Sequence, residues 1–313
     1  MKRLCMALWV GLMCGALWAH TPGDSSRTQI PDAHRVQLNE CLSSSHRELN
    51  LAISPDGKTV IIASDRGGND WNTAFVTPDR DTLYDVDLWV SNWKGDSWTT
   101  PKPLPFGINS SASEDEPVLS KSGNRLHFLS WNLTWEGTAG PYYRSKNKKG
   151  GWSPIVSSAL IPEYLIRDVQ NTRHLYISSD DRQAFWTAGL VPDLTADIYS
   201  CKKSRWGWTQ WQKHELSTFG EERSAFLSAD GRFLYFSSDG YEGYGGLDLF
   251  CAQLDKDGHV TCIQNMGPEI NTSGDEHNWV MSRDGSKALF IRDDSIYEVS
   301  CNSMLTDSND YTP

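Results

Sequence analysis

One phrase returns along this chain, and it restricts the available folds more than any other feature. Ser54-Pro55-Asp56-Gly57 precedes the strand-like run Val60-Ile61-Ile62-Ala63-Ser64. Ser120-Lys121-Ser122-Gly123 precedes Leu126-His127-Phe128-Leu129-Ser130, and Ser228-Ala229-Asp230-Gly231 precedes Leu234-Tyr235-Phe236-Ser237-Ser238. Ser282-Arg283-Asp284-Gly285 leads into Ala288-Leu289-Phe290-Ile291, and a worn copy reads as Val169-Gln170-Asn171-Thr172 before Leu175-Tyr176-Ile177-Ser178-Ser179. Taking the Gly or its equivalent as origin (57, 123, 172, 231, 285), the steps are 66, 49, 59 and 54 residues. A unit of that length buries too little by itself and needs its neighbours to cover its apolar face.

Each unit reads as four strands. The first two flank the Asp-Gly turn, where alternating apolar and polar residues bounded by Gly, Asp and Ser describe half-buried strands in a hairpin. A third opens with Asp and an apolar-aromatic pair, as in Asp87-Leu88-Trp89, Asp197-Ile198-Tyr199 and Asp248-Leu249-Phe250. The fourth carries Trp98, Trp152 or Trp208, with Pro101 and Pro154 close behind, and Pro suits an edge strand because it lacks a donor. Four-stranded units repeated radially make an all-β propeller, here of five blades. The last unit shows only three strands, while Arg35–Leu42 has no partner of its own. That segment is expected to complete blade five beside Ile296–Cys301 and so close the ring.

The Ser-x-Asp-Gly…Leu-Tyr-Phe-Ser-Ser…Asp-Leu-Phe pattern resembles the WD40-like (PD40) propeller repeat of the TolB-type periplasmic β-propeller, over about residues 38–301. The resemblance implies a fold and no particular reaction. Propellers of this kind serve as protein-binding modules, as gating domains of peptidases and in some lyases.

Lys2 and Arg3 precede an apolar run from Leu4 to Ala19, a pattern expected of a secretory signal peptide and too short for a comfortable membrane span. The domain reading is signal peptide 1–19, linker 20–34, propeller 35–302 and polar tail 303–313, with a periplasmic or secreted location. Removing residues 1–19 takes away two cations, so the formal charge moves from -11 to -11 - 2 = -13. Such an acidic chain is a poor partner for nucleic acid, whose backbone selects basic surfaces. It would not span a membrane after processing, and a closed ring is expected to be monomeric. Five cysteines remain in a compartment where disulfides persist. Cys41 and Cys301 are expected on neighbouring strands, where a disulfide could link them. Cys251 and Cys262 lie equidistant from Lys256-Asp257, so a two-residue hairpin would place them opposite, as a disulfide or as two separate thiols.

Nine residues before each origin stands a Glu: Glu48, Glu114, Glu163, Glu222 and Glu276. They begin the innermost strands and should ring one mouth of the channel. Their role is either structural, holding blades in register, or that of an electronegative cup, with His277 beside Glu276. No cofactor or bound metal is implied, although such a cup would admit a cation in the channel. The long second-to-third-strand loops emerge on the same face and carry Trp71, Trp131, Trp135, Trp186, Tyr241 and Tyr244. Aromatics beside carboxylates suit a sugar or a peptide. The expectation is a non-catalytic binding module for an envelope protein, peptide or glycan. The alternative is a glycan-active enzyme using channel-mouth carboxylates, against which the five equivalent Glu count, since acid and base roles need unlike environments. No Gly-x-Ser-x-Gly elbow, zinc-protease His pair or complete calcium loop is present.

Overall fold

The computed structural model describes residues 33–67, 74–76, 82–131, 142–148, 151–157, 169–178, 180–190 and 195–301, and every regular element among them is a β-strand. Five sheets of four or five strands account for almost all of these. Their innermost strands are Glu48–Ile53, Ser113–Leu119, Val169–Ile177, Glu222–Leu227 and Glu276–Met281. Each touches the next in that order, and the fifth touches the first. The molecule is therefore a closed β-propeller of five sheets, numbered here as blades 1 to 5. A small hairpin, Ala74–Val76 with Thr82–Tyr84, stands apart.

Closure follows the expected route. Ala33–Leu38 pairs antiparallel with Ser295–Cys301 as the outermost strand of blade 5, with Val36 opposite Val299 and Leu38 opposite Tyr297. The first strand thus belongs to the last sheet, and strand pairing fastens the two ends of the ring together. Between blades the core is apolar. Ala52, Ile61 and Leu88 of blade 1 pack with Leu126 and Phe128 of blade 2, and Phe185 and Ile198 of blade 3 pack with Leu234 and Phe236 of blade 4. From blade 4 to blade 5 the contact is an aromatic file. Tyr235 stacks on Trp279, Trp279 on Phe290 and Phe290 on Tyr297, with ring centroids 5.4, 6.1 and 5.6 Å apart.

The repeated turn has a shared chemistry. In blade 1 the Ser54 hydroxyl donates to Asp56 at 2.6 Å and accepts from the Thr59 N–H at 2.9 Å, and Gly57 takes a φ of 65° that a side chain would resist. That Ser hydrogen bond is the chief reason the Asp56 carboxyl lies below its ordinary range, and the same holds at Asp284. Blade 3 carries this turn at Ser178–Arg182, not at Val169–Thr172. Ser178 donates to Asp180 at 2.6 Å and accepts from the Gln183 N–H at 2.9 Å, while Asp181 occupies the glycine position at φ 59°. The expected phase of this blade was therefore nine residues early (181 - 172 = 9), because Asp can enter the left-handed region and the missing Gly hid the true turn. Leu175–Ile177 ends the first strand of blade 3 and does not form its second. Corrected, the steps are 66, 58, 50 and 54 residues.

Three expected placements fall with that register or with others. Trp186 lies in the second strand of blade 3, Gln183–Leu190, at 1% exposure against Tyr199 and Trp211, and not on a loop. Cys41 is not across from Cys301: the antiparallel register puts Cys301 opposite Ala33, while exposed Cys41 is a free thiol whose Sγ lies 3.2 Å from the Trp98 carbonyl. Cys251 faces Gln264 and Cys262 faces Gln253, both as free thiols, because an irregularity between Gln253 and Leu254 shifts the hairpin register.

Candidate functional site

Four of the five expected Glu residues lie where the ring predicts, at the start of the inner strands, but their carboxylates do not face the channel. Glu48, Glu114, Glu222 and Glu276 are all fully buried. In each case a hydroxyl four residues earlier donates to the carboxylate: Ser44 at 2.7 Å, Ser110 at 2.7 Å, Thr218 at 2.6 Å and Thr272 at 2.6 Å. The backbone N–H groups of Ser110, Thr218 and Thr272 donate to the other oxygen at 2.8–2.9 Å. Ser130 and Ser238 add a third donor to Glu114 and Glu222, whereas Arg292 does so at Glu276 and Arg66 forms an ion pair with Glu48 at 2.6 Å. The Glu backbone N–H groups reach the preceding blade, donating to the carbonyls of Asp294, Val86, Ala196 and Leu247. Each Glu is thus a buried rivet between blades. Glu163 falls outside the described residues, and with the corrected phase its position in the repeat belongs to Thr172.

A longer signature surrounds these rivets: Leu42-Ser43-Ser44…Glu48, Ile108-Asn109-Ser110…Glu114, Leu216-Ser217-Thr218…Glu222 and Ile270-Asn271-Thr272…Glu276. The first residue is buried in the core. The second clamps the preceding blade as a substitute strand. Asn271 accepts from the Leu249 N–H at 2.8 Å and donates to the Leu249 carbonyl at 2.9 Å, and Asn109 does the same to Leu88. This motif was present in the sequence and detectable from the Ser or Thr four residues before each Glu.

What does face the channel is the segment just beyond each Glu. Every inner strand is irregular in register there, between Glu48 and Asn50, Asp115 and Val118, Thr172 and His174, Arg223 and Phe226, and His277 and Val280. Such bulges re-aim side chains. Glu116, Ser224 and Asn278 adopt φ of 54°, 57° and 57°, a costly conformation for non-glycine residues that structures keep at functional sites. With the corrected phase, Asn50, Glu116, His174, Ser224 and Asn278 are equivalent, each seven residues before its turn origin.

These five buried polar residues form the floor of the channel. Asn278 donates to Asn50 Oδ1 at 2.7 Å and accepts from the Leu51 N–H at 2.8 Å, and Asn50 donates to Asp115 at 2.9 Å. His174 Nδ1 lies 3.1 Å from Glu116 Oε2. Burial, with His277 adding, lowers the His174 pKa to about 3, so the neutral ring donates its Nδ1 hydrogen to the carboxylate. His277 falls to about 4, chiefly through burial and then through Arg223, and is likewise neutral.

Above the floor opens a cavity of about 470 Å³, walled by Leu49, Asp115, Arg223, Asp275, His277, Asp293 and Asp294 together with Asn50, Glu116 and Ser224. Five of these residues are acids. The Arg223 guanidinium is held by Glu221 at 2.7 Å. Burial, reinforced by Asp65, Asp293 and Asp275 against the pull of Arg47, raises the Asp294 pKa. Toward the other end the channel narrows to voids of about 40 and 30 Å³ among Ile53, Leu119, Tyr176, Phe226, Val280 and Met281. Tyr176 packs on Phe226 at 4.8 Å and donates to the Leu227 carbonyl at 2.8 Å. One end is open and acidic, and the other is filled with apolar side chains.

The expected aromatic loops contribute less. Tyr241 packs on Phe236 and Phe250 and donates to the Leu216 carbonyl at 2.8 Å, a core role, while Tyr244 stays 51% exposed. Trp131 ends the second strand of blade 2, and Trp71 and Trp135 fall outside the described residues. No group of three or more His, Cys, Asp or Glu side chains among the described residues is arranged to hold a metal ion.

No family model matches this chain, and neither does any curated protein. Solved structures do. TolB from Acinetobacter baumannii is 13% identical over 84% of this chain with a TM-score of 0.45, and the chain spans 56% of that protein's length. A gluconolactonase from Xanthomonas campestris is 12% identical over 86% of this chain and 89% of its own, with a TM-score of 0.47. Hydrazine synthase from Kuenenia stuttgartiensis is 11% identical over 80% of this chain and 75% of its own, with a TM-score of 0.41.

Proposed function

We propose that this chain is an exported, non-catalytic binding propeller that holds a protein, peptide or glycan of the cell envelope at the acidic mouth of its channel. The observation that carries this reading is the asymmetry of the channel, an open cavity over a floor of strained polar residues at one end and an apolar plug at the other. A structural ring alone would not need Glu116 and Ser224, both walling the cavity, at positive φ. The glycan-active alternative loses its main candidates, since the described repeat Glu carboxylates are buried and occupied by their own turns. Export is inferred from residues 1–19 and the resemblance to PD40 repeats.

The test is capture from native envelope extract and on a glycan array, comparing the wild type with an Asp293→Asn/Asp294→Asn variant. Both positions lie in a left-handed turn, at φ 45° and 61°, which Asn tolerates. Selective loss of one captured species in the variant supports the mouth as the binding surface. Unchanged capture would remove it.

A further inference from the structure

Resting on that reading of the mouth, we infer that the group it receives is an organic ammonium: a lysine side chain, a terminal amine or a polyamine. The cavity is rich in acceptors and poor in donors. Its acids Asp115, Asp275, Asp293 and Asp294 present carboxylates, and His277 presents a neutral ring. The one guanidinium in the wall, Arg223, is engaged by Glu221.

The second observation is independent of the acids. Ser224, only 3% exposed and held at φ 57° on its bulge, lines the cavity floor, and its hydroxyl has no hydrogen-bond partner among the described residues. The imidazole of His277, on the next blade, also has no hydrogen-bond partner among the described residues. A hydroxyl in so enclosed a residue that opens only onto the cavity must find its partner there, and a ligand donor can supply it. An ammonium has three donors and no acceptor, the complement of a hydroxyl oxygen, a neutral imidazole nitrogen and carboxylates converging on one space. The Asp294 carboxyl is raised chiefly by burial and in smaller part by Asp65, Asp293 and Asp275, and a bound cation would offset that acid crowding. A bare metal ion fits worse, since the ligating side chains are not clustered around a point and the cavity of about 470 Å³ is the size of an organic ligand site.

Calorimetric titration tests this with spermidine, with Nα-acetyl-lysine methylamide and with a lysine-containing peptide, each against its Nε- or N-acetylated counterpart, and with calcium chloride. The variants are Ser224→Gly, whose new residue suits φ 57° and so keeps the fold, and Asp293→Asn/Asp294→Asn. The expected result is 1:1 binding of at least one ammonium ligand, abolished by acetylation. Affinity should fall at least tenfold in the double variant and about threefold to tenfold in Ser224→Gly. Binding by spermidine alone identifies a free polyamine, and binding by the peptide alone identifies a protein lysine. Three results would overturn the inference: no binding of any ammonium, ammonium binding indifferent to Ser224→Gly, or calcium displacing the ligand at the same variant-sensitive site. If envelope capture still depends on the mouth while every ammonium fails, the binding-module reading stands and this inference falls.

Discussion

Replacing Glu114 by Gln should change how stability depends on pH, and the structure sets both the sign and the size. Burial is the main reason the Glu114 carboxyl is raised from 4.5 to about 7. Donation by Ser110 and Ser130 opposes this, and the nearby Asp87 charge adds to it. A raised carboxyl pKa means the folded state keeps its proton after the unfolded chain has released it. Stability contributed by this group is thus full below pH 4.5 and is lost as pH rises through 7. The difference of about 2.5 units (7 minus 4.5), at about 1.4 kcal/mol each, amounts to about 3 kcal/mol when complete. Gln has no proton to lose, yet its carbonyl can still accept from the Ser110 N–H and its amide can donate to either hydroxyl. Denaturant unfolding of both proteins at pH 5 and pH 8 is the assay. The variant should gain about 2–3 kcal/mol on the wild type between those values, or about 5–10 °C in Tm. Other groups titrate in this window. His174 and His277, with lowered pKa values, destabilise the fold as pH falls below 6.5, the opposite sign. They are common to both proteins and cancel in the comparison. A variant-minus-wild-type difference that stays constant with pH, or shrinks toward pH 8, would refute the account of Glu114 as a buried carboxyl against its neighbour's charge.

Asn271→Ala should cost about 3 kcal/mol in chemical unfolding, because it strands the buried N–H and carbonyl of Leu249 together; a loss under about 1 kcal/mol would mean the clamp is not structural. The imidazole resonances of His174 and His277 should show no titration between pH 7 and 5 in NMR spectra, and a midpoint near 6.5 would contradict their burial. Exposed Cys41 and Cys262 should be alkylated quickly in the native protein. Cys201 and Cys251, whose thiols burial pushes up to about 12, should react only on unfolding. Rapid labelling of all four, or of none, would fail that pattern.

The repeat was legible because it is written in local chemistry. A turn needs Ser, Asp and Gly at fixed offsets, strands need alternation, and a radial array needs the same unit again, so five sheets and their closure by the first strand followed from letters alone. Blade 3 was misphased where that chemistry was disguised, with Asp181 performing the task of a glycine by entering the left-handed region. Trp186 was misassigned as a consequence, and the repeat position expected for Glu163 belongs to Thr172. The repeated spacing of the Glu residues was also visible, but its meaning was not. Whether a carboxylate points into a channel or back onto its own turn depends on a few degrees of backbone and on a Ser or Thr four residues away. Disulfide partners failed for a similar reason, since a single irregularity moves cross-strand register by whole residues. The polar floor was the least legible of all. Asn50, Glu116, His174, Ser224 and Asn278 share no residue type, so no motif unites them. Only the ring, by bringing one bulge from each of five blades to a common axis, makes them a single surface.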